Sequence, residues 1–452
     1  MIQFNELGLA ETLLRAIQAE GYDKPTPIQS KVIPAMMDGR DVLGTAQTGT
    51  GKTAAFVLPI LNRVADRIAN SQPRSTPKHC GALIVAPTRE LAQQIAESIQ
   101  TYGRHVRPSV AVVVGGLKPG PQIKALARGV DIVVATPGRL LDHMSTGAVR
   151  LGQTTTVILD EADQMMDLGF LPAIRKIMGK LPRERQVALL SATMPTPIRA
   201  LANDFLRDPV EIAVAQVAKP IETIDQNVIM LDRAAKRRVL ANLLCEPDVE
   251  RAIVFTRTKR GADKVTADLV KAGLSCAAIH GNKSQSQRQR ALKSFKTGQI
   301  TILVATDIAA RGIDVDGVSH VVNFELPNVP EAYVHRIGRT ARAGKSGIAI
   351  SLCDNTERGL LRDIERLIGR KIDATRDESQ AEASDAPISK NPPGRGRQDR
   401  SGQGRSHRGG GGGQNEGGQR SGGQRAGGKA WAAKRNRRKK ANTNGGGAPA
   451  AT

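Results

Sequence analysis

From about residue 32 to 352 the chain alternates short apolar runs with longer segments whose apolar residues recur every three or four positions. The short runs are ALIVA (82–86), VAVVV (110–114), DIVVA (131–135), TVIL (156–159), QVALL (186–190), AIVF (252–255), TILVA (301–305), HVVNF (320–324) and GIAISL (347–352). Continuous β-branched runs of this length suit strands covered on both faces, as in a parallel sheet. Intervening segments such as RELAQQIAESIQTYG (89–103) and GADKVTADLVKAG (261–273) have helical apolar spacing and end near glycine. The alternation predicts βαβ units and an α/β fold. The chain divides near 208–223 (DPVEIAVAQVAKPIET), which predicts an interdomain linker over 209–223.

Polar, Gly- and Thr-rich pieces follow the apolar runs repeatedly. QTGTGKT follows VLGTA, PTRE follows ALIVA, GG follows VAVVV, and TPGR follows DIVVA. DEAD follows TVIL, SAT follows QVALL, TRT follows AIVF, and TD follows TILVA. In open α/β sheets, ligands bind at the carboxyl ends of the strands. Eight such placements in two clusters therefore predict two sheets, each with a functional edge.

Charge adds a partner class. The 452 residues carry 66 Lys+Arg against 43 Asp+Glu, a net of +23 that points to a polyanion, nucleic acid ahead of a membrane surface. More than half of the excess lies from Lys390 onward, where 15 basic residues face Asp399 and Glu416, among 18 glycines and with Trp431 as the only ring. Such a segment cannot bury enough apolar surface to offset chain entropy and is predicted to be a disordered tether for phosphates. Its cationic block KRNRRKK (434–440) also fits a solubilising tail or a nuclear localisation signal. The four cysteines (Cys80, Cys245, Cys276, Cys353) form no CxxC pair, which argues against a disulfide scaffold and for a reducing cytoplasm. No apolar run approaches the roughly 20 residues of a membrane span, and the start lacks a signal-peptide pattern.

Three motifs carry chemistry. In AQTGTGKT (46–53) the glycines let backbone N–H groups turn towards phosphates at the start of a helix. Lys52 would reach the β/γ-phosphates and Thr53 would ligate Mg²⁺; the first position holds Ala46 where the generic pattern has glycine. In DEAD (160–163), Asp160 at a strand end suits the metal and Glu161 suits the attacking water. In HRIGRTAR (335–342), Arg336, Arg339 and Arg342 are spaced by three and would share a helical face, a source of arginine fingers.

With these motifs in this order, the chain resembles a DEAD-box RNA helicase of superfamily 2, most closely the bacterial RhlE type, over residues 4–367. The resemblance implies two tandem RecA-like domains with parallel sheets. Its organisation would be a Q-motif segment (1–31), an ATP-binding domain (32–208), the linker (209–223), a second domain (224–370) and a disordered tail (371–452). It implies ATP and Mg²⁺ as cofactors and RNA as partner, with no membrane and no DNA expected. Phe4 and GYDKPTPIQ (21–29) match the Q motif, so Tyr22 would stack on adenine and Gln29 would bond its edge. Ala46, Gln47, Thr48, Gly49, Thr50, Gly51, Lys52 and Thr53 would hold the phosphates. Gly312 and Asp314 would contact nucleotide backbone and ribose. Catalysis would fall to Lys52, Asp160, Glu161, Arg339 and Arg342.

The resemblance also implies RNA contacts at Pro87, Thr88, Arg89, Gly115, Gly116, Thr136, Pro137, Gly138 and Arg139. In the second domain the matching positions are Arg257, Gly281, Gln285, Arg288, Thr306 and Asp307. Asp163, Ser191, Thr193 and His335 would couple nucleotide state to domain closure. These types suit phosphate and 2′-OH contacts and include no base-reading set. Ala341 departs from the family's HRIGRTGR, and no folded RNA-recognition module follows residue 370. The expected activity is RNA-stimulated ATP hydrolysis with local, non-processive unwinding of short duplexes. Ribosomal precursors and RNA-decay complexes are the expected settings; an ATP-gated RNA clamp that need not unwind is the alternative.

Overall fold

The computed structural model describes residues 3–46, 49–214, 224–310, 315, 317–341 and 346–376. It contains two parallel sheets of seven strands each. The first is built from β1 (Val42–Thr45), β2 (Cys80–Val85), β3 (Val110–Val113), β4 (Val130–Ala135), β5 (Thr156–Leu159), β6 (Gln186–Ser191) and β7 (Val210–Ala213), in the order β3-β4-β2-β5-β6-β1-β7. Around it lie α1 (Glu11–Ala19), α2 (Gln29–Met37), α3 (Lys52–Ala69), α4 (Arg89–Tyr102), α5 (Pro119–Leu126), α6 (Pro137–Ser145), α7 (Ala162–Asp167), α8 (Leu171–Met178) and α9 (Thr196–Phe205). Two apolar layers, one on each face, bury the strands; Ile84, Val134 and Ile158 enter one, and Leu83, Val133 and Val157 the other. Residues on both faces are apolar, so the runs show no alternation.

The second sheet comprises β8 (Ile224–Met230), β9 (Ala252–Thr256), β10 (Cys276–Ile279), β11 (Ile302–Thr306), β12 (His320–Asn323), β13 (Gly347–Cys353) and β14 (Asp373–Arg376), in the order β10-β11-β9-β12-β13-β8-β14. Its helices are α10 (Lys236–Leu243), α11 (Lys259–Lys271), α12 (Gln285–Lys296), α13 (Asp307–Ala310), α14 (Pro330–Ile337) and α15 (Arg358–Ile368). All pairings in both sheets are parallel, as the alternation predicted.

Three boundaries differ from expectation. The linker does not begin at 209, because Val210–Ala213 forms β7 against β1. The second domain does not end at 370, because Asp373–Arg376 pairs with β8. The Q-motif segment is no appendage: Phe4, Leu7, Leu13, Ile17 and Ile28 enter the first domain's core. Linker residues 215–223 and tail residues 377–452 lie outside the described residues.

Candidate functional site

Sheet register assembles the nucleotide motifs. Thr45 at the end of β1 pairs with Ser191 at the end of β6, and Leu189 of β6 pairs with Leu159 of β5. Three neighbouring strand ends therefore deliver AQTGTGKT, SAT and DEAD side by side, each about 5 Å from the next. The Ala46 amide donates to the Ser191 carbonyl (3.0 Å), tying the start of the phosphate loop to SAT. Gly49 and Gly51 sit at φ +85° and +88°, where a side chain is strained. A Cβ on Gly51 would also collide with the Gln29 amide. Lys52 opens α3, is buried, and donates from Nζ to the Ala46 carbonyl (2.8 Å). Thr53 follows it, half-buried. Gln47 and Thr48 lie outside the described residues.

The DEAD residues are more buried than an acidic turn would be. Asp160 and Glu161 are 2% and 4% exposed, so water cannot stabilise their charges. Burial raises the pKa of both carboxyls, and each is raised further by acidic neighbours. Glu161 is pushed up to about 7, by burial first and Asp160 second, while Lys52 and Arg339 pull it down. Its Oε2 is buried without a hydrogen-bond partner in the structure, and its backbone is left-handed at φ +52°. Asp163 stands at the centre of a net with SAT. Its amide donates to Ser191 Oγ (3.2 Å), and its Oδ2 accepts from the Thr193 amide (2.9 Å) and hydroxyl (3.0 Å).

The structure gives the Q-motif residues different surroundings. Gln29 opens α2, accepts from the Thr26 amide at Oε1 (2.9 Å) and donates to the Gly51 carbonyl from Nε2 (3.1 Å). Tyr22 is 39% exposed, its ring 6.0 Å from that of Tyr102, with the hydroxyls 3.0 Å apart. Phe4 is packed into the core.

In the second domain, α14 ends at Ile337 and Gly338 caps it. Arg336 and Arg339 therefore do not share a helical face as expected; Arg339 lies beyond the helix, buried, within electrostatic reach of Glu161. Arg336 is 1% exposed inside its own domain. Its guanidinium grips Asp307 bidentately (Nε–Oδ1 2.5 Å, Nη2–Oδ2 2.8 Å). It also donates to Asn323 Oδ1 and the Glu325 carbonyl, and lies 5.1 Å from the Phe255 ring centre. His335 lines a small cavity with Asp307, Arg336 and Arg339. Gly312, Asp314 and Arg342 lie outside the described residues.

Residues from both domains also meet at a second place. Thr88 caps α4 through its hydroxyl (3.2 Å to the Leu91 amide). The next residue, Arg89, reaches Gln285 Oε1 (3.4 Å). Gln285 Nε2 donates to Glu90 Oε1 (3.1 Å), and Arg288 pairs with Glu90 Oε2 (2.9 Å). A Cβ on Gly115 would stand 3.2 Å from the Arg89 guanidinium, and Gly116 is at φ +75°; the glycine pair makes room for that arginine. Burial lowers the Arg89 pKa, and Arg288 and Arg139 lower it further. Three guanidinium groups thus converge around one carboxylate, a positive pocket matched to phosphate. Arg139 also donates to the Leu117 carbonyl (3.0 Å). Thr136 and Pro137 are buried at the start of α6, and Gly138 beside them is exposed. Thr306 ends β11, and Gly281 is exposed beside the Lys259 stem.

Arg257 faces carboxylates. It lies 3.3 Å from Glu357 Oε1 and 3.6 Å from Glu325 Oε1, and its amide donates to Glu325 Oε2 (2.8 Å). Glu357 also pairs with buried Lys236. The motifs did not single out Glu90, Glu325, Glu357 or Lys236 as site residues; Glu90's place inside PTRE was the one available signal.

Two family models match the chain: DEAD/DEAH box helicase over residues 26–201, and Helicase conserved C-terminal domain over 235–344. A DEAD-box ATP-dependent RNA helicase, CshA of Bacillus cereus, is 44% identical over 373 residues, 82% of this chain and 69% of the relative. The chain belongs to the DEAD-box ATP-dependent RNA helicases. CshA of Bacillus subtilis is 42% identical to this helicase, over 84% of this chain and 76% of the relative. Among solved structures, Saccharomyces cerevisiae Dbp5 bound to RNA and ADP BeF3 aligns with the helicase at a TM-score of 0.73 and 31% identity. That match covers 84% of this chain and 98% of the other. Mss116p bound to ssRNA and AMP-PNP aligns at a TM-score of 0.74 and 28% identity, over 83% of this chain and 80% of the other. The fold is that of two tandem RecA-like domains, and the helicase hydrolyses ATP. No helix among its described residues is long and apolar enough to cross a membrane.

Proposed function

We propose that this helicase uses ATP to clamp RNA by its backbone and to separate short duplexes locally, without processive travel. The observation that carries this is the pair of meeting places between domains. At one, Arg339 of the second domain acts on Glu161 of the first. At the other, Arg288 and Gln285 meet Arg89 and Glu90. Nucleotide-facing and phosphate-facing residues of one domain each have partners in the other, so closing one interface closes both.

In this reading Gln29 and Tyr22 take the adenine, while the loop over 46–53 and Lys52 take the phosphates. Thr53 and Asp160 suit Mg²⁺, which supplies charge neutralisation at the phosphates. Among the described residues no trio of His, Cys, Asp or Glu forms a metal cluster. A Mg²⁺ held by one carboxylate, a hydroxyl and phosphate oxygens needs none. Glu161, with its orphaned Oε2, orients and deprotonates water, and Arg339 with Arg342 stabilises charge on the leaving group. Asp163, Ser191 and Thr193 pass the state of the loop to DEAD, and His335 joins them on closure. The arginine pocket and the backbone amides at PTRE, GG and TPGR hold RNA phosphates, with little sequence preference.

RNP remodelling in the cytoplasm, on ribosomal precursors or in RNA decay, fits this activity, with RNA preferred over DNA. The basic tail raises RNA affinity: each phosphate contact contributes about 0.7–0.9 to the log–log salt slope, so deleting residues 390–452 should flatten it. The deciding assay is strand separation of a short RNA duplex with ATP. Lys52→Ala should abolish it; unwinding by that variant at the wild-type rate would overturn the proposal.

A further inference from the structure

Helix α15 carries arginine at every fourth position: Arg358, Arg362 and Arg366, all exposed. Its apolar residues Ile364 and Ile368 face inward, in a cluster with Val228 of β8, Tyr333 and Ile337 of α14, and Ala349 of β13. The arginines therefore form a ridge on the outward face, repeating about every 6 Å, the scale of the step between phosphates on a strand.

Like charges at this spacing destabilise a helix unless acids intervene. The helix has two acids. Asp363 pairs with Arg366 (3.0 Å). Glu365 accepts from the Ile372 amide (3.1 Å), which closes the chain back past the helix end. Among the described residues no carboxylate pairs with Arg358 or Arg362. The Arg366 side chain stays 79% exposed despite its partner. Arg370 and Lys371 continue the basic run but share a pocket of about 370 Å³ with Asp225 and Asp373, which offset their charge.

We infer that this ridge is a second RNA-binding surface, separate from the cleft, which tracks the phosphates of a strand that overhangs it. The inference rests on RNA being the helicase's substrate. Sheet order gives the separation. Residues expected to touch RNA in the cleft lie on or after β9, β10 and β11, whereas α15 packs over β8 and β13. From β10 to β8 is five strand spacings, or about 24 Å. The ridge also stands where the chain turns into β14, directly before the Gly/Arg-rich segment. A membrane-lying helix would turn an apolar face outward. Here the apolar face is spent on the core and Leu367 is the one large apolar side chain of α15 that is exposed.

The test uses the full chain with Arg358, Arg362 and Arg366 all changed to Gln, which keeps helix propensity. Binding is measured with an RNA of about 6 nucleotides, too short to fill the cleft and bridge the gap, and with one of about 30. For the long RNA, affinity should fall about tenfold and the salt slope by about 2, three single-strand contacts' worth. Short-RNA affinity and saturated RNA-stimulated ATPase should not move, and Arg→Lys at the three positions should restore long-RNA binding. Equal weakening for both lengths, no weakening, or a loss seen only on anionic vesicles would overturn the inference. If wild-type ATPase itself ignores RNA, the helicase reading fails; if it responds and the Gln variant binds normally, only the ridge fails.

Discussion

Replacing Glu161 by Gln should make the protein more stable while ending ATP hydrolysis. The Glu161 carboxyl is buried beside Asp160 and pushed up from 4.5 to about 7. A carboxyl whose folded-state pKa is raised binds more protons when folded than when unfolded. Stability is therefore undiminished below pH 4.5, falls as pH rises towards 7, and is flat above that. The displacement corresponds to roughly 3 kcal/mol at pH 8. Gln has the same shape without the charge, so that penalty is removed. One kcal/mol moves the midpoint of a domain this size by about 2–4 °C, which sets a ceiling of roughly 6–12 °C. Burial of the amide in place of the unpartnered Oε2 takes back about 1–3 kcal/mol, leaving a gain of a few degrees. Thermal unfolding of nucleotide-free protein in chelator, at pH 5 and pH 8, reads this directly. A gain at pH 8 that shrinks at pH 5 is expected. No gain, or one equal at both pH values, would refute the burial-and-repulsion argument.

Ala341 sits at φ +54°, so Ala341→Gly should relieve strain and stabilise the second domain by up to about 1 kcal/mol net, read by urea unfolding. Gly51→Ala should lower ATP affinity at least tenfold, because it strains the loop and displaces Gln29; titration with labelled nucleotide measures it. Arg288→Ala leaves Glu90 buried and unpaired, and Glu90→Gln leaves Arg288 without its acid. Each should weaken ATP-dependent RNA binding, and the double variant should lose less than the sum, a coupling of order 1–3 kcal/mol.

Strands whose two faces are both apolar were legible from sequence to within a residue or two. β7, β8, β10 and β14 were not, for separate reasons. VEIA and DATR are edge strands with polar sides, IDQNVIM carries Asp, Gln and Asn, and CAAI is too small and short to stand out. The nucleotide motifs were legible because backbone turn, lysine and carboxylates lie within one loop or strand end. Partners contributed by distant strands were not. Nothing near Arg257 in sequence announces Glu325 and Glu357, and the spacing of Arg336 and Arg339 suggested a shared helical face that Gly338 interrupts.

The grip of Arg336 on Asp307 has a mechanical consequence. It bolts the end of α14, where the nucleotide-facing turn begins, to the start of α13 after β11, on the strand ends expected to face RNA. A displacement imposed on one of these elements cannot be taken up by play between them, so the second domain works as a stiff lever instead of a chain of relays. Lever stiffness is a property that neither ligand touches. Loosening it, as Arg336→Lys would by reducing a forked grip to a single point, should leave ATP and RNA each bound while the work done per ATP drains away as slippage.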